Sequence, residues 1–303
     1  MTATVGAAST RRRYIPALDG LRGAAIAAVL LFHHGLEGAR GGFLGVSLFF
    51  TLSGFLITSL ILAEHGDDGR IDLRAFWVRR LRRLMPAALL GLVLALGTTV
   101  VAVPAAQRAA AVTDIQAALI WLANWRFVLA DAPYADVGTL PSPVLHYWSL
   151  AIKEQFYLVL PVLAIVCLRR GRRTLTAALV AITLGSLALQ VVLPADDRVY
   201  YGTDTRAAEL ALGGLTAVGL VSVAVLTGAI GGRFVPRLLA WRPLRWLSLV
   251  SYGLYVIHFP VFLVLTPDRL GLGGVGTLAV RVAVSLLLAT ASLYLIEQPI
   301  RRR

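Results

Sequence analysis

The stretch "LMPAALLGLVLALGTTVVAVPAA", residues 84–106, contains no charged side chain. It is one of several apolar runs in this chain that are long enough to cross a hydrocarbon layer about 30 Å thick as a helix. In lipid every backbone N–H and C=O needs an internal partner, so such runs fold as helices packed against one another. The rest of the chain agrees. It is 58% hydrophobic and 15% charged, with a mean hydropathy of +0.76. That leaves too few polar faces for a soluble domain. The expected fold is all-α, a polytopic helical membrane protein. Cys167 is the single cysteine, which excludes an internal disulfide and a cysteine-cluster metal site.

The net charge of +13 would suggest nucleic acid in a soluble protein. Here the arginines gather at the ends of apolar runs. Arg11, Arg12 and Arg13 precede the first run, and Arg70, Arg74, Arg79, Arg80, Arg82 and Arg83 follow the second. "RRGRR" spans 169–173. Arg233, Arg237, Arg242 and Arg245 form a fourth group, and Arg301, Arg302 and Arg303 a fifth. The positive-inside rule places all five groups in the cytoplasm and makes nucleic acid a poor partner.

Alternating these groups predicts about eight transmembrane helices, near 15–36, 43–63, 84–103, 147–168, 173–193, 206–230, 244–265 and 275–297. Both termini are then cytoplasmic, in a multi-pass protein of the cell membrane. The segment 111–131 does not fit, because crossing there would put "RRGRR" outside. It is expected as a re-entrant or interfacial helix, anchored by Trp121 and Trp125. Glu37, Asp114, Asp131, Asp136, Asp196, Asp197 and Asp268 then lie outside. The first run carries Asp19 and Arg22 and lacks a small-residue cleavage site, so it is expected to stay as a helix. No polar stretch is long enough for a soluble domain. One transmembrane domain over 1–303, with a basic tail at 1–13, is the expected organisation.

Ionisable groups at membrane depth mark function by default. Arg22 and His33 are 11 residues apart, about 16 Å along a helix and on nearly the same face. Arg22 either snorkels to the interface or binds a ligand. His33 either faces a loop or does chemistry. His34 points about 100° away and is read as structural.

Several blocks of sequence carry a resemblance. "YIPALDGLRGAAIAAVLLFHH" is similar to the opening of the membrane-bound acyltransferase-3 family, marked by an arginine, ten residues and a histidine, matched by Arg22 and His33. "GGFLGVSLFFTLSGFLIT", "FWVRRLRRLMPA", "HYWSLAIKEQFYLVLP", "YYGTDTRAAELALG", "SYGLYVIHFP" and "YLIEQPIRR" resemble its later blocks, in order. The resemblance implies O-acylation. An acyl group, in the simplest case acetyl from acetyl-CoA, passes from cytoplasmic acyl-CoA to a hydroxyl of an extracytoplasmic glycan, glycolipid or macrolide-like small molecule, without a metal.

Under that resemblance His33 is the general base, or transiently the acylated group. Glu154 orients it, as the acid does in a triad. Arg80 and Arg83, one turn apart, hold the CoA phosphates, for which guanidinium forks are well shaped. Arg22 binds the pantetheine or phosphate portion, or orders the polar stripe. Trp148 and Tyr157, placed with Glu154 at the depth of His33, belong to the acceptor site, and Asp204 and Arg206 line its entrance. Tyr252 and His258 are read as packing residues, His258 with an interhelical hydrogen bond, and Glu297 pairs with nearby arginines.

Two features depart from the family pattern. The family usually has an acid where this chain has Lys153, the one lysine of its 29 basic residues. If that acid supports His33, this copy is an inactive variant, engineered or natural, and Lys153→Glu restores turnover. An ion pair between Lys153 and Glu154 is not expected, because adjacent helical residues diverge. The family usually has ten spans, and the region between 215 and 245 is short here. The competing function is a transporter of a small acidic or sugar substrate, which also buries charges at broken helices. The two related halves typical of transporters are not visible.

Overall fold

A computed structural model describes residues 15–68, 71–130, 140–194, 196–219 and 234–302. The basic tail at 1–13, Arg70, Asp131, Asp136, Arg233, Arg303 and residues 220–230 of the expected sixth span lie outside the described residues. Among the described residues every regular element is a helix.

The first helix, α1 (Pro16–His34), begins with proline near its first position, where a missing N–H costs nothing. It stops at Gly35, whose φ of 80° is the left-handed conformation that glycine supplies without strain. A 3₁₀ turn, Arg40–Phe43, leads into α2 (Leu44–Asp68). The third helix, α3 (Leu73–Val101), starts well before residue 84. Asp72 caps it by accepting a hydrogen bond from the Ala75 N–H at 2.9 Å. The arginine motif is therefore helical, since arginine is a good helix former even where the apolar run has not begun.

The segment expected at the interface is two short helices, α4 (Arg108–Leu119) and α5 (Ala123–Leu129). They break at Trp121, whose φ of 58° is left-handed in a residue with a Cβ. Neither is long enough to cross. Then come α6 (Tyr147–Leu168), α7 (Arg172–Val192), α8 (Asp197–Tyr201) and α9 (Thr203–Val218). The described part of the sixth expected span is α9, which ends at Val218 with Gly219 at φ 102°. The chain continues with α10 (Phe234–Leu239), α11 (Arg242–Val264), α12 (Pro267–Leu270), α13 (Gly274–Ser292), a π turn (Leu293–Glu297) and α14 (Gln298–Arg302).

Seven segments, those built on α1, α2, α3, α6, α7, α11 and α13, are long and apolar enough to cross a membrane. With 16 residues, α9 is not among them. In α11 72% of the spanning window is buried and in α6 56%, against 22% in α7 and α13. So α6 and α11 form the centre and α7 and α13 the margin.

Small residues set the closest approaches, as expected where lipid supplies no hydrophobic drive between helices. A Cβ on Gly23 would stand 2.1 Å from the Leu244 carbonyl oxygen, pressing α1 onto α11. A Cβ on Gly54 would stand 1.8 Å from the Leu210 carbonyl oxygen, pressing α2 onto α9.

Candidate active site

His33, at the end of α1, meets His258 of α11. Its Nδ1 lies 2.9 Å from His258 Nε2, with ring centroids 5.0 Å apart. His258 is fully buried. Its Nδ1 lies 2.8 Å from the Tyr255 carbonyl oxygen and 3.2 Å from that of Leu254. Carbonyls only accept, so His258 Nδ1 carries a proton. Charge is costly in this apolar interior, and with both rings neutral His258 Nε2 is then an acceptor. His33 Nδ1 must donate to it. The lone pair of His33 therefore sits on Nε2, the nitrogen able to take a proton. A backbone carbonyl and a second imidazole do here what a carboxylate does in a triad.

The expected orienting residue is elsewhere. Glu154 Oε1 lies 3.1 Å from Lys153 Nζ, and both side chains are almost wholly buried. This corrects two expectations. Glu154 engages its neighbour rather than His33, and the pair forms although adjacent Cα positions diverge, because the lysine stem is long enough to fold back. Lys153 Nζ also stands 4.9 Å from the centre of the Tyr252 ring.

A third imidazole, His146, completes the cluster. Its ring centroid is 5.4 Å from that of His258, and its Nε2 lies 3.2 Å from the Val256 carbonyl oxygen. Its buried Nδ1 has no hydrogen-bond partner among the described residues. The Tyr255 hydroxyl donates to the His146 carbonyl oxygen at 3.1 Å and lies 2.7 Å from Ser149 Oγ. Among the described residues no group of three His, Cys, Asp or Glu side chains can hold a metal.

Tyr255 and Ser149 close one end of an inner cavity of about 300 Å³. At the other end stand Arg22 of α1, Arg80 and Arg83 of α3, and Lys153 of α6. Among the described residues no carboxylate comes within ion-pair distance of Arg22, Arg80 or Arg83. Arg79, by contrast, pairs with Glu64 at 3.2 Å on the surface. Arg22 and Arg80 are half-buried and Arg83 is exposed, so three cations crowd one space without a carboxylate, and an anionic ligand offsets their mutual repulsion. Tyr157 is at this end too, its ring 5.0 Å beneath the Arg80 guanidinium. Its expected place beside His33 is therefore corrected: nine residues below Trp148 is about 13 Å along the helix.

Trp148 is fully buried against Tyr200, with centroids 4.7 Å apart, and against Phe50 at 6.1 Å. Arg206 lies over this aromatic group, 5.7 Å from the Trp148 ring and 5.6 Å from that of Tyr200. Its Nη1 pairs with Glu209 Oε1 at 3.3 Å, and Ser47 Oγ donates to the same oxygen at 3.0 Å. Glu209 Oε2 is buried without a hydrogen-bond partner among the described residues. Asp204 is apart from this group. It takes a two-pronged hydrogen bond from Arg198, at 2.9 and 2.6 Å, and its carboxylate holds the Arg198 guanidinium above its ordinary pKa. His34 lies 3.1 Å from Arg281 Nη1.

The structure thus brings Arg22, Arg80, Arg83, Lys153 and Tyr157 together, and Trp148 with Arg206. It separates Glu154 from His33 and Asp204 from Arg206. Reading the sequence missed His258 as the partner of His33, together with His146 and Glu209. For His258 the signal was present: a histidine three and four residues after Tyr255 and Leu254 can cap their carbonyls, which fixes its tautomer.

An acyltransferase-domain family model matches residues 15–215. A putative peptidoglycan O-acetyltransferase of Bacillus subtilis is 36% identical over 95% of this chain and 55% of its own length. A peptidoglycan O-acetyltransferase of Listeria monocytogenes is 31% identical over 96% of this chain and 56% of its own. A putative O-acetyltransferase of Staphylococcus aureus is 38% identical over 68% of this chain and 35% of its own. The chain spans about half the length of the first two relatives or less of the third. No solved structure matches it.

Proposed function

Because the chain belongs to the acyltransferase-3 family of membrane proteins, we propose that it moves an acetyl group from acyl-CoA to a hydroxyl of a glycan across the membrane. Peptidoglycan is the favoured acceptor by the names of the relatives. The positive-inside rule puts the arginine end, and both termini, in the cytoplasm of a cell-membrane protein. The donor enters from that end.

One observation carries this reading. A single cavity runs from unpaired Arg22, Arg80 and Arg83 to Tyr255, whose carbonyl holds the histidine pair. Charged forks at one end suit phosphates. The apolar walls, among them Leu56, Leu60 and Leu84, suit an uncharged arm carrying a thioester. Lys153 is a fourth cation of that cavity in this reading. It serves the donor rather than disabling the site.

The acceptor hydroxyl approaches from the opposite side, with Tyr200 and Arg206, half-buried over the fully buried Trp148, as its seat. Flat aromatic faces and buried charged hydrogen-bonding groups are what a sugar ring requires. His33 Nε2 takes the hydroxyl proton as the oxygen attacks the thioester carbonyl carbon. The C–S bond breaks, the imidazolium returns the proton to the sulfur, and an ester and a thiol leave. His258 Nε2 stabilises the imidazolium by accepting from Nδ1–H throughout.

The test is acetyl transfer from labelled acetyl-CoA in proteoliposomes supplied with a muropeptide acceptor. Loss of a general base costs about 10²–10⁴-fold. His33→Ala is therefore expected to reduce the rate by that order with CoA affinity retained. Full activity in His33→Ala would overturn the assignment.

A further inference from the structure

A second cavity, of about 500 Å³, lies at the arginine end. Arg242, Arg245 and Trp246 at the start of α11 line it, with Arg301 of α14. It shares Arg22, Arg83 and Tyr252 with the inner cavity, so these three side chains form a common wall. Five guanidiniums face this space against two carboxylates. Asp19 accepts from Ser248 Oγ at 3.4 Å and Glu297 from Ser292 Oγ at 3.1 Å. No carboxylate among the described residues comes within ion-pair distance of Arg242 or Arg301. Glu297 lies near enough to Arg83 and Arg301 to feel their charge, but among the described residues its direct partner is Ser292.

Positive charge at a helix end needs only the membrane surface to explain it. Three features go beyond that. The arginines come from four separate elements and converge on one half-open space. Two of them, Arg22 and Arg83, stand on the wall of the next cavity inward. Trp246 adds a flat aromatic face, 41% exposed, beside them. Several phosphates joined to a planar ring satisfy this combination, since guanidiniums chelate phosphate oxygens and indoles stack on bases.

We infer that the outer cavity is the seat of a nucleoside bearing several phosphates, the nucleotide end of the donor. Arg242, Arg245 and Arg301 hold the phosphates and Trp246 stacks on the base. Arg22 and Arg83, on the wall common to both cavities, hold the phosphates nearest the arm, and beyond them the uncharged arm passes Tyr252 into the inner cavity. From Arg242 to His258 is 16 residues of one helix, about 24 Å. One extended ligand lying along α11 would join the solvent-facing arginines to the histidine pair. The inference rests on the donor reading above and assigns Arg242, Arg245, Arg301 and Trp246, which that reading leaves as topological charge and surface.

The same arginines would also attract an anionic lipid headgroup, so the experiment separates the two sources of phosphate. The full chain is placed in nanodiscs of neutral lipid, and binding of CoA, adenosine 3′,5′-bisphosphate and 4′-phosphopantetheine is measured by calorimetry. The bisphosphate is expected to bind and to compete with CoA. Arg242→Gln and Arg301→Gln should each weaken both by about tenfold or more, the scale of one charge-assisted contact. Phosphopantetheine should be unaffected. Trp246→Ala should weaken the two base-bearing probes by about tenfold and leave phosphopantetheine unchanged. If CoA binds but the bisphosphate does not, or if Arg242→Gln and Trp246→Ala leave both affinities unchanged, the nucleotide end lies elsewhere and the inference fails. It also fails if, in matched nanodiscs containing phosphatidylglycerol, the substitutions alter only the retention of that lipid. Should Arg242→Gln not fold, Arg301→Gln and Trp246→Ala decide. If the folded chain binds no CoA at all, it is the donor reading that falls.

Discussion

At the scale of single residues, the pairing of His33 with His258 assigns the lone pair of His33 to Nε2, and that assignment can be tested. His258→Phe keeps an aromatic ring of similar breadth but removes the acceptor for Nδ1–H, so the tautomer is no longer imposed and the imidazolium loses its partner. Turnover is expected to fall about 10²-fold or more, with the affinity for CoA intact. His258→Gln, which can accept through its carbonyl, should recover part of the loss. Equal activity of the Phe and Gln variants would mean that His258 merely packs. Lys153 reads differently from its sequence context. Within the inner cavity it pairs with Glu154 and stands among Arg22, Arg80 and Arg83. Lys153→Glu would set two carboxylates side by side in that interior and remove one cation. CoA binding is expected to weaken about tenfold rather than turnover to rise. A faster Lys153→Glu enzyme would restore the view that an acid belongs there.

At the scale of elements, helix contacts depend on glycines that admit a neighbouring backbone. Gly54→Ala puts a methyl 1.8 Å from the Leu210 carbonyl oxygen and must push α2 from α9, at a cost of about 1–3 kcal/mol. Gly97 of α3 is the control, since a Cβ there meets nothing within 4 Å. Gly97→Ala should leave stability unchanged or raise it by about 0.5–1 kcal/mol, through the better helix propensity of alanine. Denaturant unfolding in detergent measures both. A Gly54→Ala protein as stable as the parent would show that the α2–α9 approach is readily relaxed. Helix positions were legible where apolar runs and stop signals coincide: α1, α6 and α11 lie close to their expected bounds. They were less so where a charged segment is helical, as in α3.

At the scale of the whole molecule, orientation in the membrane follows from the arginine groups. With Cys167→Ala as background, a cysteine at position 171 should label from the cytoplasmic face and one at 196 from the opposite face. Labelling of both from one side would overturn the topology and, with it, the direction of donor entry.

The amino-acid sequence by itself determined the class of this protein. Hydropathy and backbone hydrogen bonding leave no alternative to a helical bundle, and Arg22 and His33 stood out because charge at membrane depth is costly enough to be rare, whereas Arg80 and Arg83 stood out from the other arginines only through the family resemblance. What it did not determine is which side chains meet. His33 and His258 are 225 positions apart. Arg83 and Arg301, which line one cavity, are nearly as far removed in the chain. Glu154 looked like the partner of His33 because both lay on spans with the right chemistry, yet it takes the ammonium of its own neighbour Lys153, whose stem folds back onto it. Spacing along one helix settles depth and face. Rotation and the pairing of helices follow from packing between surfaces, where a glycine such as Gly54 or Gly23 decides how close two backbones come. That information is distributed over the whole bundle, and only the folded chain brings it together.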